Sequence, residues 1–292
     1  MTMSVRKVLA PLVGGPNDGA TLFAAIRISK GCKAHLEARF VRPDPEDSVP
    51  YLGMETSEFA EIRQEYRHYA EVAGKKLAAK SRRQFNAACK KSGISKSKYP
   101  PGKYEIGAHW VEVVGRPTRE VPEAAKLADL TVFAGPLADY NRLIPNVLER
   151  TLLASGRPIL FAPEGLSERP LAQIAIAWDA SVQAARAVGA AMTFFQDAKQ
   201  ILVLSAKEPY AETPDPKKLV EYLAWHGISA EGQALKPDRG AVAETLLTAA
   251  DEYGAELMIM GGYVHNRFEE AIFGGTTLHA IRHSQIPLFM MH

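Results

Sequence analysis

The sequence predicts an α/β chain of two tandem, doubly wound domains, and three observations carry that prediction: length, an alternation of strand and helix patterns, and an internal repeat. At 292 residues the chain exceeds what one ordinary hydrophobic core supports and falls short of three, so two domains of about 130 to 160 residues follow. Its 47% hydrophobic and 23% charged residues are the composition of a globular protein, with no room for extensive disorder. Short apolar runs alternate with alanine-rich helical patterns. A parallel strand connection needs a crossover of a dozen or more residues, so the alternation implies parallel sheets with helices on both faces. Right-handed crossovers then give Rossmann-like layers.

Each half opens on a short apolar run that leads through small or turn residues into a helical pattern: residues 5–12 (VRKVLAPL) and 171–178 (LAQIAIAW). Second strands follow at residues 34–42 (AHLEARFVR) and 200–206 (QILVLSA), each ahead of a loop with proline. Near the end of each half, residues 128–136 (ADLTVFAGP) match 255–262 (AELMIMGG), buried-strand patterns that stop at glycine or proline. A helical stretch then leads to a last strand at 157–163 (RPILFAP) and at 286–291 (IPLFMM).

The offset between halves is 166 at the first strand, from Arg6 to Ala172, but 127 at the fourth, from Ala128 to Ala255. The first half therefore holds 39 extra residues between its second and third strands. There a charged, proline-free run from Ser57 to about Lys91 predicts one extended helix, and Tyr99-Pro100-Pro101-Gly102 marks its exit. The stretch Pro163-Glu164-Gly165-Leu166-Ser167-Glu168-Arg169-Pro170 reads as the boundary, near Ser167, dividing domains 1–166 and 167–292. Ligands in such sheets sit beyond the carboxyl ends of the strands, at a switch in strand order.

The loop from Met260-Gly261-Gly262-Tyr263-Val264 to Phe273-Gly274-Gly275-Thr276-Thr277 joins a buried strand to a helix. Its spacing resembles the universal stress protein motif G-x2-G-x9-G-[ST], with Gly261 first, Val264 second and Gly274-Gly275 last. Glycine at a strand end lets backbone approach a ligand, and amides ahead of a helix can bind phosphate. Two identities depart from the motif. Val264 replaces a glycine, and a β-branched side chain disfavours positive φ and fills space left for phosphate. Gly275 lacks the expected hydroxyl, which Thr276 or Thr277 could supply from a shifted position.

The resemblance implies tandem domains of the adenine nucleotide alpha-hydrolase-like fold, each a mainly five-stranded parallel sheet. It implies a stress-response binding or regulatory protein that holds ATP or another adenine nucleotide in the C-terminal domain, with Mg entering only alongside nucleotide. Trp178-Asp179-Ala180-Ser181 resembles the family's first-strand D-x-S turn, so Asp179 corresponds to the acid near the nucleoside. Read from the residue alone, Asp179 equally serves as a cap for the alanine-rich helix that follows. Ala206 matches the position where the family offers backbone groups to adenine. In the first half the corresponding loop starts at Gly135-Pro136 and lacks a glycine pair, and Leu12-Val13-Gly14-Gly15 lacks an acidic counterpart of Asp179. Asp139 and Glu149 would repel phosphate, so the first half is expected to be structural or to bind something else. The resemblance also implies that the two last strands pair across an intramolecular pseudo-dimer, with a further homodimer open.

Two other functions stay open. One is a slow nucleotide hydrolase or adenylyl-transfer enzyme, for which Asp179 and His265 are the acid or base candidates. The other is an interaction module without a ligand. No Ser-His-Asp order, paired catalytic carboxylates or Walker-type loop is readable. His279 and His283 have metal-compatible spacing but no acidic or cysteine companion, and read as helix-surface residues. Cys32 and Cys89 stand in no ligand spacing and read as ordinary thiols. From Lys75 to Lys103 ten Lys or Arg occur with no acid. An interleaved apolar stripe makes this a solvated face rather than a specific nucleic-acid site. The brief apolar start and the lack of eighteen consecutive apolar residues predict a cytoplasmic chain without a secretion signal or membrane span.

Overall fold

The computed structural model describes residues 5–48, 57–100, 102, 105–135, 143–163, 171–206, 214–237, 241–262 and 275–292. Its first half runs β1 (Lys7–Leu12), α1 (Asp18–Cys32), β2 (His35–Arg42), α2 (Ser57–Ser92), β3 (Ser95–Lys96), β4 (Gly107–Val114), α3 (Pro117–Ala125), β5 (Leu130–Ala134), α4 (Leu143–Ala154) and β6 (Ile159–Ala162). The second runs β7 (Gln173–Ala177), α5 (Val182–Phe195), β8 (Gln200–Ala206), α6 (Pro216–Trp225), β9 (Glu231–Leu235), α7 (Val242–Glu252), β10 (Leu257–Gly261), α8 (Gly275–His283) and β11 (Leu288–Met291). The expected boundary near Ser167 falls outside the described residues.

The strands join in one sheet of order β3-β4-β2-β1-β5-β6-β11-β10-β7-β8-β9. The central strands β1, β5, β7 and β10 are almost wholly buried, as expected of parallel strands covered on both faces and therefore apolar throughout. The edge strand β9 reads Glu-Gly-Gln-Ala-Leu and is exposed along most of its length. Helices α1, α2, α5 and α6 pack one face through Leu22, Phe85, Ala187 and Leu223. Helices α3, α4, α7 and α8 pack the other through Val121, Leu148, Leu246 and Ile281.

Hydrogen bonds repeat between the halves as closely as the strands do. Asp129 accepts from the amides of Arg6 and Lys7, at 2.8 and 2.9 Å. Glu256 accepts from those of Ala172 and Gln173, at 2.6 and 3.1 Å. In each case the acid ahead of the fourth strand satisfies donors at the start of the first. Ahead of the last strands, the Ser155 hydroxyl donates to Arg157 O and accepts from Arg157 N, and Ser284 does the same with Ile286. In the turn after each first strand the residues at equivalent repeat positions have positive φ: Gly14 at 81° and Ala180 at 60°.

Two features go beyond the repeat. The inserted helix is a single α2 of 36 residues, where the second half has the 10-residue α6. It is followed by an added edge strand, β3, so the first half has six strands. The two halves also share one sheet, because β6 and β11 pair antiparallel with Ile159 opposite Met290, Leu160 opposite Phe289 and Phe161 opposite Leu288.

Candidate strand-end crevice

In the second half the strand order turns at β7, which has β10 on one side and β8 on the other. Met260 pairs with Ala177, and Ala177 with Leu204, so the carboxyl ends of β10, β7 and β8 lie side by side. The structure therefore brings Met260, Gly261, Asp179 and Ala206 to the same end of the sheet. Met260 is buried in β10. Ala206, half-buried, ends β8.

The β7 to α5 turn shows what each residue contributes. Trp178 N donates to Leu204 O at 2.8 Å, and the Ser205 hydroxyl donates to Trp178 O at 2.9 Å, fixing the turn to β8. Asp179 Oδ1 then accepts from Ser181 N at 2.9 Å. That is an Asx turn, and it holds Ala180 at positive φ. The helix cap is Ser181, whose hydroxyl accepts from Ala184 N at 3.1 Å. Asp179 thus shapes the turn before the cap, and its exposed second oxygen has no partner among the described residues.

Gly261 has a local structural requirement. A Cβ there would stand 2.8 Å from Ala184 N and 3.0 Å from Gln183 Cβ, so β10 ends directly beneath the first turn of α5. A Cβ on Gly262 would lie 2.7 Å from Leu152 Cδ2 of α4. Gly262 O also meets His292 Nδ1 at 2.9 Å. Sequence reasoning assigned Gly261 to ligand approach and had no signal for these packing demands, which arise from residues far away in the chain. Gly275 begins α8, Thr276 is half-buried and Thr277 is buried. Val264, Gly274 and His265 lie outside the described residues.

The equivalent turn in the first half is covered by helix α2. A Cβ on Gly14 would stand 2.9 Å from Leu77 Cβ of α2. Asp18 is buried, accepts from Val13 N and Gly14 N at 3.1 and 3.0 Å, and also accepts from the Ser81 hydroxyl of α2. Burial raises the Asp18 pKa against the pull of these hydrogen bonds. Further along α2, a Cβ on Gly74 would stand 3.0 Å from Arg42 Cγ at the end of β2. Glu149 is buried on α4, and burial raises its pKa. Asp139 lies outside the described residues. The sequence flagged the missing acid but not the plug, because Leu77 and Ser81 lie some sixty residues from the loop they cover.

The other candidate groups stand apart from this crevice. His279 and His283 stack at 4.1 Å between ring centroids, and His283 Nδ1 lies 2.9 Å from His279 O, an arrangement that occupies one ring nitrogen. Among the described residues no three His, Cys, Asp or Glu are grouped to hold a metal ion. Burial pushes the Cys32 thiol up to about 11 and raises Cys89 as well, which disfavours the nucleophilic thiolate in both. Among the described residues no helix is long and apolar enough to cross a membrane.

A doubly wound α/β chain with the strand ends of β10, β7 and β8 side by side at the switch point of its second half is the class that fold and geometry define. Residues 171–292 match the family model of the Universal stress protein family. The second half of this chain is thus a universal stress protein domain. No curated protein matches the sequence. A universal stress protein from Archaeoglobus fulgidus DSM 4304 aligns over 98% of this chain and 95% of its own, with TM-score 0.63 at 17% identity. A functionally unknown protein from Pseudomonas aeruginosa PAO1 aligns over 99% and 92%, with TM-score 0.53 at 14% identity. At such identities these two show the shared fold, and they show it over both halves.

Proposed function

We propose that residues 167–292 form an adenine-nucleotide-binding regulatory domain and that residues 1–166 serve as its structural partner in an intramolecular pseudo-dimer. The observation that carries this reading is the free oxygen of Asp179, exposed at the strand switch point beside the ends of β8 and β10. A carboxylate there can accept from ribose or adenine donors. Ala206 borders the same crevice. Gly275 and Thr276 open α8, next in sequence after Gly274, where amides and a hydroxyl suit phosphate. The universal stress protein match over this half and the plugged counterpart in the first half both favour a single site. No chemical step is assigned to this domain.

Calorimetric titration of the full chain with Mg-ATP tests the reading. Binding is expected, about tenfold weaker in Asp179→Ala, lost in Gly274→Glu and tighter in Val264→Gly. Absence of binding to the native chain, with gain only in Val264→Gly, would identify a retired site. ATP turnover in proportion to protein and lost in Asp179→Ala would replace the regulatory reading with the enzymatic one.

A further inference from the structure

Helix α2 is buried along one stripe only. Gly74, Ala78, Ser81, Phe85 and Cys89 recur at helical spacing and face the body of the protein. Upstream of Gly74 that stripe turns polar and shallow among the described residues: Arg67 bonds Glu46 at 2.6 Å, and from Ala60 to Tyr69 every residue but Arg63 is exposed. Yet this part of the helix has apolar residues away from that side, Ile62 at 42% exposure, Tyr66 at 54%, Tyr69 at 76% and Val72 at 37%. An isolated helix of this length is marginal in water, and a helix persists in proteins chiefly by packing an apolar face.

The charges around these residues say what the face fits. At about 100° per residue, Glu61, Glu65, Tyr69, Val72, Lys76 and Lys80 fall within one arc of about 100°. That arc lies on the side of the helix opposite the buried stripe. The acids stand at its N-terminal end, the bases at its C-terminal end and the apolar pair between them. Neither acid forms an ion pair or hydrogen bond among the described residues, and neither does Lys76. Lys80 lowers the pKa of Asp18 through space but contacts no carboxylate. By contrast, the neighbouring Glu71 and Arg67 are already paired, with Lys75 and Glu46.

We propose that this face of α2 docks antiparallel on the same face of a second copy of the chain. Turned about a two-fold axis between Ala70 and Glu71, Glu61 of one copy meets Lys80 of the other, Glu65 meets Lys76, and Tyr69 meets Val72. The pattern is self-complementary, as an isologous interface requires. A parallel arrangement would set like charges against each other. The contact spans about 30 Å of helix and its ion pairs are exposed, so the dimer is reversible and weakens with salt. It is separate from nucleotide binding and from the β6–β11 seam, both of which stand on other elements.

Sedimentation velocity of the full chain across protein concentration, at low and at 0.5 M NaCl, tests the proposal. Dimer is expected at low salt and largely monomer at high salt. The double variant Glu61→Lys with Glu65→Lys should weaken self-association by about tenfold or more, as should Lys76→Glu with Lys80→Glu. Mixing the two variants should restore a dimer at least as tight as the native one, because every facing pair is again opposite in charge. All four positions are solvent-exposed, and unchanged circular dichroism confirms folding. A native chain that stays monomeric at low salt overturns the proposal. So does a dimer indifferent to both reversals, or a mixture that fails to rescue.

Discussion

At the scale of the residue, the second half places a non-glycine residue where the repeat uses glycine. Ala180 sits at φ 60°, the position of Gly14 in the first half, and a left-handed alanine costs roughly 1 kcal/mol. Ala180→Gly should relieve more than it loses in unfolded-state entropy and stabilise the protein by about 0.5 kcal/mol in urea denaturation. A loss of stability would mean that the Asp179 turn already accommodates the methyl group without strain. The converse holds at Gly261, where a methyl would press on the backbone of α5 at 2.8 Å. Gly261→Ala should cost about 1–3 kcal/mol, read as a lower Tm, whether or not nucleotide is present. That outcome would separate the packing need for this glycine from any need of the ligand.

Among the elements, β1, β2 and β4 enclose a polar cluster that periodicity did not announce. His35 is buried, and its Nε2 lies 2.9 Å from His109 Nδ1. Its Nδ1 has no hydrogen-bond partner among the described residues. Glu37 lies between Lys7 at 2.8 Å and Arg39 at 2.7 Å, and 3.6 Å from His109. Burial, with His109 and Lys7 adding to it and Glu37 opposing, pushes the His35 pKa from 6.5 down to about 4, and burial also lowers that of His109. The unfolded chain therefore binds protons that the folded one refuses, so stability falls as pH drops from about 6.5 to about 4. Of that loss, the part between about pH 6.5 and pH 5 is on the order of 2 kcal/mol. Denaturation at pH 7.5 and pH 5 should show it in the native chain and show a smaller difference in His35→Gln; equal slopes would remove His35 as the cause. What the sequence did reveal was anything periodic or punctuated: α2 was expected from Ser57 to about Lys91 and runs Ser57–Ser92, and β8 has its expected bounds. The short β3, the exposed β9, the histidine cluster and the plug of Leu77 and Ser81 on Gly14 and Asp18 were hidden. Each depends on which segments meet in space, and none leaves a regular spacing along the chain.

For the molecule as a whole, the seam between β6 and β11 is the organising contact. By the offset of the last strands, Phe289 is the repeat equivalent of Leu160, and the two stand directly opposite each other. Their neighbours exchange in the same way, Leu288 with Phe161 and Met290 with Ile159. The pairing is the one a true two-fold axis through Phe289 would give two copies of the second half. Phe289, Leu288 and Met290 are fully buried there, and Phe194 of α5 packs edge-on against Phe289 at 5.6 Å. Cutting the chain in the linker would leave β11 as a bare apolar edge, and such edges recruit another strand. Residues 171–292 expressed alone should therefore form a dimer of about twice their mass in light scattering, whereas the full chain satisfies the edge internally. Phe289→Lys in that fragment should shift it to monomer, since a charge at the two-fold position would face its own copy. A fragment that stays folded and monomeric without that change would show that β11 does not need its partner, and the duplication would then have joined two independent units rather than an interface.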